Sequence, residues 1–279
     1  MNIRELIFGI TASALLSACG AGRYADVRVD QDTTAAEVTK ADRTLRLMTY
    51  NVCSFSNFED DGVARMGRII SGVQPDAISL NEVDSVNVRH KVDQLAQLAS
   101  VLGDGWQQHF GAAMTFLGGS YGNGVAVCPS DRIIRKCTIP LSKSSGSEPR
   151  SVAVVETGSY VFGSCHLDFK TEEARQLQIK ELTLWFERNY KGSGKPVFLC
   201  GDLNAEPGSE TLQALLQDWE LLSPADPTFP AESPNICIDY ILRLKSSAPV
   251  RVLSAKVITS GDFLTASDHL PVIVEVKGI

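Results

Sequence analysis

The sequence predicts an α/β fold in which mixed β-sheets are covered by helices. Short apolar runs that end abruptly at polar residues recur along the chain, as in buried strands, and they outnumber the segments with helical spacing. Hairpin-like pairs of strands alternate with a few helical crossovers, which favours mixed sheets with the helices outside. The chain has 279 residues, of which 44% are hydrophobic, so it can enclose the core of one large domain or two small ones.

The predicted domain begins with a strand, a helix and a second strand. Residues 44–52 alternate between apolar and polar side chains, as a strand does. Apolar residues then recur at helical spacing over 63–73, and Pro75 stops that helix. Residues 76–83 form another apolar run that ends on a carboxylate. Together these segments have the size of a βαβ unit.

A helix and a group of antiparallel strands follow. Apolar residues over 92–102 predict a second helix, which Gly103 closes. Residues 106–127 alternate and are rich in glycine, as hairpins are, and residues 121–127 predict a central strand. We expect a strand at 133–139 to pair with that central strand.

The second half of the chain predicts more strands and two helices. Thr171 is a good N-cap for a long helix with two acidic residues in its first turn. A short helix begins at Ser209, and four prolines over 223–235 predict a rigid surface loop. The predicted strands are, in order, 151–156, 160–166, 195–201, 236–242, 251–258 and 270–276.

The stretch 195–204 points to a site. A short apolar run breaks into Gly201, the carboxylate of Asp202 and the carboxamide of Asn204. If the chain stays extended, positions 202 and 204 lie on one side of it, at the end of a sheet. A carboxylate that accepts and an amide that both donates and accepts suit a polarised water beside a phosphate oxygen. The alternative is an ordinary turn followed by a loop.

Polar residues also end the other apolar runs, so one rim of a sandwich can gather them. Several carboxylates in one place repel one another unless a cation is bound. Oxygen-rich ligands favour a hard ion such as Mg²⁺ or Mn²⁺. Arg150, which opens a strand after a polar loop, is either a phosphate clamp or a solvated loop residue. The gathered residues are Asn51, Glu82, His166, Asp202, Asn204, Asp239, Asp268 and His269.

Six short motifs occur in a fixed order along the chain. The motifs are Thr49-Tyr50-Asn51, Asn81-Glu82-Val83, Ser164-Cys165-His166-Leu167, Gly201-Asp202-Leu203-Asn204, Ile238-Asp239-Tyr240-Ile241 and Ser267-Asp268-His269-Leu270-Pro271-Val272. Together they resemble the endonuclease/exonuclease/phosphatase superfamily, which includes deoxyribonuclease-I-like enzymes and neutral sphingomyelinases, over about residues 43–279. The resemblance implies a four-layer α/β sandwich, with two face-to-face mixed β-sheets flanked by helices, and metal-dependent hydrolysis of a phosphoester.

The resemblance also implies a metal site. Glu82 matches the principal metal ligand of the superfamily, Asn51 lies beside the metal, and Asp268 lies near the metal or orients its waters. Some members carry a second acid two residues after the first-strand asparagine, where this chain has Cys53. Metal binding is therefore expected to depend mainly on Glu82 and on waters.

The catalytic roles follow by the same resemblance. His269 matches the histidine of an acid–histidine pair, and Asp239 matches the acid that orients it. Asp202 activates or positions the attacking water, while Asn204 and His166 hold the phosphate and its developing charge. The tyrosine that abasic-site nucleases present near the position of His166 is absent, which argues against that activity.

The first residues predict export and a lipid anchor. A charged start, a short apolar centre and Ser17-Ala18-Cys19 read as a signal peptide of residues 1–19, with Cys19 in a bacterial lipoprotein box. The apolar centre is too short to span a membrane, and a buried amphipathic helix is the alternative. Residues 20–42 predict a tether, and 43–279 the catalytic domain. We expect a protein anchored to the bacterial cell envelope, on its periplasmic or outer side, that contacts the membrane only through its lipid.

The other six cysteines permit disulfides in an exported protein. Cys165 and Cys200 lie in apolar runs, where a free cysteine acts as a small hydrophobic residue. Cys128 and Cys137 form the one local pair that could be joined. No CxxC motif occurs, which argues against a zinc knuckle.

A net charge of −7 argues against a broad nucleic-acid footprint, which needs clustered Lys and Arg. It does not exclude a small phosphorylated substrate or a metal-bridged one. We expect a monomeric exported phosphoesterase that acts on a small or lipid-linked phosphate, mono- or diester. The alternatives are an extracellular nuclease, a sphingomyelinase-like phosphodiesterase, and a non-catalytic binding lipoprotein that kept the fold.

Overall fold

A computed structural model describes residues 40–58 and 61–278, so the predicted signal peptide, Cys19 and nearly all of the tether lie outside the described residues. The first described residues are already bound to the domain. Lys40 Nζ lies 2.5 Å from Asp76 Oδ1, and the Ala41 amide donates to Glu275 Oε1 at 2.8 Å. Within the described ranges, no helix has the length and apolar character needed to cross a bilayer.

The described chain forms twelve strands and five α-helices. The strands are β1 (Leu45–Asn51), β2 (Ala77–Ser85), β3 (Gln107–Phe116), β4 (Gly119–Val127), β5 (Ile133–Leu141), β6 (Arg150–Thr157), β7 (Val161–His166), β8 (Val197–Asp202), β9 (Trp219–Leu221), β10 (Asp239–Leu244), β11 (Arg251–Val257) and β12 (Val272–Lys277). The helices are α1 (Gly62–Ser71), α2 (Gln94–Leu102), α3 (Glu172–Tyr190), α4 (Glu210–Asp218) and α5 (Phe263–Ala266), and a short 3-10 helix covers Cys53–Phe55.

The strands form two mixed sheets of six strands each. The first sheet has the order β11-β12-β1-β2-β4-β3, and the second has the order β5-β6-β7-β8-β10-β9. Each sheet contains one parallel pair, β1 with β2 and β7 with β8, and each parallel pair is joined by a helix. The other pairs are antiparallel. The predicted mixture of helical crossovers and hairpins is therefore confirmed.

Three apolar clusters separate four layers. The middle cluster holds the sheets face to face and contains residues from both, such as Leu47, Val125, Phe162 and Phe198. A second cluster packs α1, α2 and α5 on the first sheet, and a third packs α3 and α4 on the second sheet. Each large apolar side chain that is fully buried contributes about 1.5–3 kcal/mol. The predicted four-layer sandwich is confirmed.

Local sequence patterns predicted most of the helices and strands correctly. The wrong predictions concern which strands pair and where elements begin. The expected pairing of 133–139 with 121–127 is wrong, because β5 pairs with β6 in the opposite sheet. The strand predicted at 236–242 begins only at Asp239. The helix predicted from residue 92 begins at Gln94, since the Asp93 side chain caps it by accepting from the Ala96 amide. Strand β9 and helix α5 carry too few residues for a periodic signal.

The candidate disulfide is absent. Cys128 and Cys137 are both free, because Cys128 follows β4 in the first sheet while Cys137 lies on β5 in the second. Cys165 and Cys200 are free and fully buried in the strands β7 and β8. This placement confirms that these two cysteines act as small apolar side chains.

Candidate active site

The strands that carry the predicted site residues end at one rim of the sandwich. Strands β1, β7 and β8 end at Asn51, His166 and Asp202, and the antiparallel strand β10 begins at Asp239. Asp202 lies in register with His166 on one side and with Asp239 on the other. The segment between α5 and β12 brings His269 to the same rim, where it contacts Asp239 and Asn51. Residues from both sheets therefore meet at one place.

A β-bulge in β2 directs Glu82 to this rim. The register of β2 with β4 shifts between Leu80 and Val83, and Glu82 has a φ of 61°. Positive φ is uncommon for a residue with a side chain, and such strain, of order 1–3 kcal/mol, concentrates at functional sites. Bulges re-aim side chains. Glu82 Oε1 lies 3.2 Å from Asn51 Nδ2 as a result.

Gly201 allows Asp202 to reach the same point. Its φ is 143°, and a Cβ at this position would lie 1.8 Å from the carbonyl oxygen of Cys165. Only glycine therefore permits the close approach of β7 and β8 at this level. That approach brings Asp202 Oδ2 to within 3.4 Å of His166 Nε2.

The side-chain amide of Asn51 joins the acids of the two sheets. Its Nδ2 lies 3.2 Å from Glu82 Oε1, 3.1 Å from Asp202 Oδ2 and 3.4 Å from His269 Nε2. Its Oδ1 accepts from the backbone amide of Cys53 at 3.1 Å, which fixes the amide orientation. Asn51 thus turns its N–H donors, rather than its oxygen, toward the carboxylates.

Asp239 and His269 form a buried hydrogen-bonded pair. Asp239 Oδ2 accepts from His269 Nδ1 at 2.9 Å and from Thr228 Oγ1 at 2.6 Å. Burial lowers the pKa of His269, but the charge and hydrogen bond of Asp239, followed by the charge of Asp202, outweigh it and raise that pKa to about 10. His269 is therefore an imidazolium at neutral pH, and its Nε2 lies 3.7 Å from Asp202 Oδ2.

Asp202 is buried at the rim, and two amides donate to its carboxylate. Its Oδ1 accepts from the backbone amide of Asn204 at 2.9 Å, and its Oδ2 contacts Asn51 and His166. Burial, followed by repulsion from Asp239, raises the pKa of Asp202 to about 6. Burial, followed by the charges of Arg150 and His269, lowers the pKa of His166 well below its ordinary value. His166 is therefore neutral at neutral pH.

Asn204 reaches the site by a turn and not by an extended chain. Strand β8 ends at Asp202, and Asn204 has a φ of 48°. The expectation that an extended backbone places positions 202 and 204 side by side is therefore wrong. The left-handed turn lets the Asn204 backbone bind Asp202, while its side-chain amide donates to the carbonyl of Leu167 at 3.1 Å. One N–H of that side chain remains for another acceptor.

The acids of the rim fit a hard cation. Asp268 Oδ2 is buried and has no hydrogen-bond partner among the residues that the structure describes. Burial raises the pKa of Asp268 to about 6 and also raises the pKa of Glu82. Asp202, Asp239 and His269 offer ligand atoms within 4.8 Å of one another. Asp239 Oδ2 and His269 Nδ1 are bound to each other, but Asp239 Oδ1, like Asp268 Oδ2, is buried without a hydrogen-bond partner among the described residues. Carboxylate oxygens of this kind suit a divalent ion.

Arg150 brings a positive charge to the second sheet's side of the rim. Its side chain is 3% exposed and forms an ion pair of 2.9 Å with Glu148. The Nε atom is buried and lacks a partner within residues 40–58 and 61–278. Its charge acts on both Glu82 and His166. The position fits the predicted phosphate clamp.

Two buried asparagines that sequence reasoning missed support the site from below. Asn81 Oδ1 accepts from the Asp202 amide at 3.0 Å, and Asn81 Nδ2 donates to Asn123 Oδ1 and to the Cys165 carbonyl. Asn123 Nδ2 donates to the Ser151 carbonyl of the opposite sheet at 2.8 Å. A carboxamide within an apolar strand needs hydrogen-bond partners when it is buried. That signal was present at both positions.

An additional concave surface lies outside this group of residues. A groove of about 830 Å³ runs between α3 and α4 on the outer helical layer, and its walls contain none of the predicted site residues. The rim, by contrast, holds the buried acids Asp202 and Asp239 and the histidines His166 and His269. The titratable groups therefore identify the site here, and the size of a cavity does not.

Comparison with known proteins agrees with this architecture. Residues 48–269 match the sequence profile of the Endonuclease/Exonuclease/phosphatase family, while no curated protein matches the sequence. One similar solved structure is an endonuclease/exonuclease/phosphatase from Beutenbergia cavernae, with 23% identity over 84% of this chain and 72% of that one, and a TM-score of 0.69. Another is a mannosyl-6-phosphatase from Bacteroides thetaiotaomicron, with 18% identity, coverage of 84% and 100%, and a TM-score of 0.69. The catalytic domain of human Nocturnin is also similar, with 19% identity over 86% of this chain and 96% of that one, and a TM-score of 0.66.

Proposed function

This chain belongs to the endonuclease/exonuclease/phosphatase family, and from that premise we propose that it is an exported, metal-dependent hydrolase that cleaves a phosphoester by attack of water. The observation that supports this most is the pair of Asp239 and His269 beside Asp202. On the same rim, Asp268 Oδ2 is buried without a hydrogen-bond partner among the described residues. A charged donor, a carboxylate base and a cation site then lie within one small space.

The cation is Mg²⁺ or Mn²⁺ in this proposal, and Glu82 and Asp268 would hold it. When bound, such an ion neutralises negative charge on the phosphate oxygens and stabilises the charge that develops in the transition state. The Asn51 amide fixes Glu82 by a hydrogen bond of 3.2 Å. Asp268 Oδ2 and Asp239 Oδ1 are buried without a hydrogen-bond partner within residues 40–58 and 61–278, and these two oxygens favour a bound ion.

Asp202 is the residue that takes a proton from the attacking water. Its Oδ2 is held by Asn51 and its Oδ1 by the Asn204 backbone, so the carboxylate cannot rotate freely. A base of this kind contributes roughly 10²–10⁴-fold to the rate. Its raised pKa of about 6 makes Asp202 a stronger base than an exposed aspartate while it is still ionised at neutral pH.

The phosphate is held by donors that are already in place. His269 donates from Nε2, because Asp239 binds its other ring nitrogen and stabilises the imidazolium. The free N–H of Asn204, the neutral His166 and the buried Nε of Arg150 complete the donor set. Preorganised donors of this type lower the barrier without rearrangement during the reaction.

The substrate is a mono- or diester of a small or lipid-linked phosphate. A mannosyl-6-phosphatase among the similar structures supports a small phosphomonoester. The net charge of −7 disfavours a nuclease, which needs a basic surface for the phosphate backbone.

Hydrolysis of p-nitrophenyl phosphate and of bis(p-nitrophenyl) phosphate tests the proposal. We expect turnover that depends on added Mg²⁺ or Mn²⁺ and stops with a chelator. Nicking of plasmid DNA at physiological salt would favour the nuclease alternative. No turnover of any phosphoester with any divalent metal would contradict the hydrolase and favour a binding lipoprotein on this fold.

Export and anchoring form a separate part of the proposal, which the signal-like residues 1–19 support. Cys19 becomes the lipidated first residue of the mature protein, and 20–42 tether the domain to the cell envelope. Metabolic labelling with a lipid precursor should mark the wild-type protein and leave the Cys19→Ala variant unlabelled. Label in the Cys19→Ala variant would contradict the anchor.

A further inference from the structure

Three side chains form a row that leads from the rim to solvent. Tyr121 on β4 is partly exposed and lies in register with Asp84, two residues beyond Glu82 on β2. The ring of Phe116 on β3 lies 5.9 Å from the ring of Tyr121, at an interplanar angle of 52°. The guanidinium carbon of Arg89 lies 5.0 Å from the centre of the Phe116 ring. The row is an aromatic surface that ends in a cation.

Arg89 is fixed, so the outer end of the row is rigid. Its Nε and Nη2 donate to the two oxygens of Asp84 at 2.8 and 3.0 Å, and Nη2 also donates to Ser54 Oγ at 2.8 Å. A bidentate pair of this kind sets the plane of the guanidinium. Asp84 itself is fully buried.

Tyr121 belongs to the rim as well as to the row. Burial raises its pKa well above the ordinary value, the Glu82 carboxylate adds to that, and Arg150 opposes it. The charges of the predicted metal ligand and of the predicted phosphate clamp therefore both act on this phenol.

We propose that Tyr121, Phe116 and Arg89 form the subsite for the organic group esterified to the phosphate, and that this subsite accepts a flat aromatic or heteroaromatic ring. Aromatic faces bind other rings by offset stacking, and a guanidinium stacks on the same faces. The inference rests on the proposed function for the position of the phosphate at the rim. The row then begins where the phosphate would lie and continues toward solvent, which is the direction that the esterified group would take.

Binding of two phosphonates tests the subsite without turnover. Phenylphosphonate and methylphosphonate carry the same anionic group on a P–C bond that hydrolysis does not cleave, and only one has a ring. Titration calorimetry on the full chain with Mg²⁺ should show that phenylphosphonate binds at least about fivefold more tightly than methylphosphonate, as expected for one stacked ring. Equal affinities in the wild-type chain would overturn the proposal with no variant needed.

Substitutions test whether Tyr121 and Phe116 cause the preference for phenylphosphonate over methylphosphonate. Tyr121→Leu and Phe116→Leu should each reduce the preference for phenylphosphonate to less than about twofold and leave methylphosphonate binding unchanged. Tyr121→Phe keeps the ring and should keep the preference. Leu117→Ala, at the exposed tip of the same hairpin (51% exposed), is the matched control. A preference that persists in both leucine variants would overturn the proposal, and melting temperatures show whether each variant is folded.

The outcomes separate this proposal from the proposed function. Equal binding of the two phosphonates together with turnover of p-nitrophenyl phosphate would remove the subsite and keep the hydrolase. Selective binding of phenylphosphonate without turnover of any phosphoester would keep the subsite and remove the hydrolase. Binding of neither phosphonate would contradict both, because both place a phosphate at the rim.

Discussion

Asp239 Oδ2 lies 2.9 Å from His269 Nδ1, and the acid is fully buried while the ring faces Asp202. This contact orients the imidazolium ring of the histidine and stabilises its positive charge. The two residues lie on elements separated by a proline-rich loop, and Thr228 of that loop binds the same carboxylate oxygen. The pair is therefore held from two sides.

Replacement of Asp239 should reduce catalysis through His269. In Asp239→Asn the amide cannot stabilise the imidazolium, so we expect kcat to fall by about 10²–10⁴-fold. The pKa of His269, about 10 in the wild type, should fall, and the alkaline limb of the kcat profile should move to lower pH. Rates measured from pH 5 to 10 check both effects. Asp226→Asn, on the exposed part of the neighbouring loop, is the control, and an unmoved alkaline limb would contradict the role of the pair.

Replacement of Asp202 should abolish activity and still leave the fold intact. The folded-state pKa of Asp202 is raised to about 6 from 3.8, so folding favours its protonated form. Its stabilising contribution is thus fully present below about pH 4 and is lost as the pH rises through about 6. Asparagine does not ionise, so Asp202→Asn avoids this loss of stability as the pH rises. At pH 8, in the presence of a chelator, the melting temperature of the variant should be no lower than that of the wild type. A melting temperature several degrees below wild type would show that the ionised acid stabilises the fold.

Replacement of Glu82 should remove stabilisation by a divalent ion. An ion that binds only the folded chain raises the melting temperature as its concentration exceeds the dissociation constant. We expect the wild type to melt at a higher temperature in millimolar Mg²⁺ or Mn²⁺ than in chelator, and Glu82→Gln to lose most of that shift. Glu232→Gln, at an exposed position, should keep it. An equal shift in both variants would exclude Glu82 as a ligand.

Replacement of Gly201 should destabilise the second sheet. The added Cβ would meet the Cys165 carbonyl at 1.8 Å, and φ at this position is 143°. We expect Gly201→Ala to cost more than about 1 kcal/mol, seen as a lower midpoint in chemical denaturation. Gly158→Ala is the control, because its Cβ would meet nothing within 4 Å. Equal midpoints would mean that β7 and β8 can separate at little cost.

The sequence predicted the fold where its signals are local. Periodicity and caps identified α3, whose Thr171 side chain accepts from the Ala174 amide as expected. The pairing of β5 could not be predicted in the same way, because alternation states that a strand exists and not which strand lies beside it. The family resemblance supplied the face-to-face order of the sheets.

The site was predictable as a set of residues and not as a set of contacts. Polar strand ends marked Asn51, Asp202 and His269, since charge at the end of an apolar run needs a reason. The bulge that re-aims Glu82 depends on the pairing of β2 with β4, which no window of sequence shows. The turn at Asn204 likewise depends on the capping of the Asp202 carboxylate.

Half of the rim belongs to each sheet, and the Asn81–Asn123–Ser151 chain of hydrogen bonds crosses between them. Neither sheet alone contains a complete set of reacting groups. Turnover therefore requires the complete sandwich, and a partly folded chain should be inactive. Heat or denaturant should abolish turnover in the same cooperative transition that separates the two sheets.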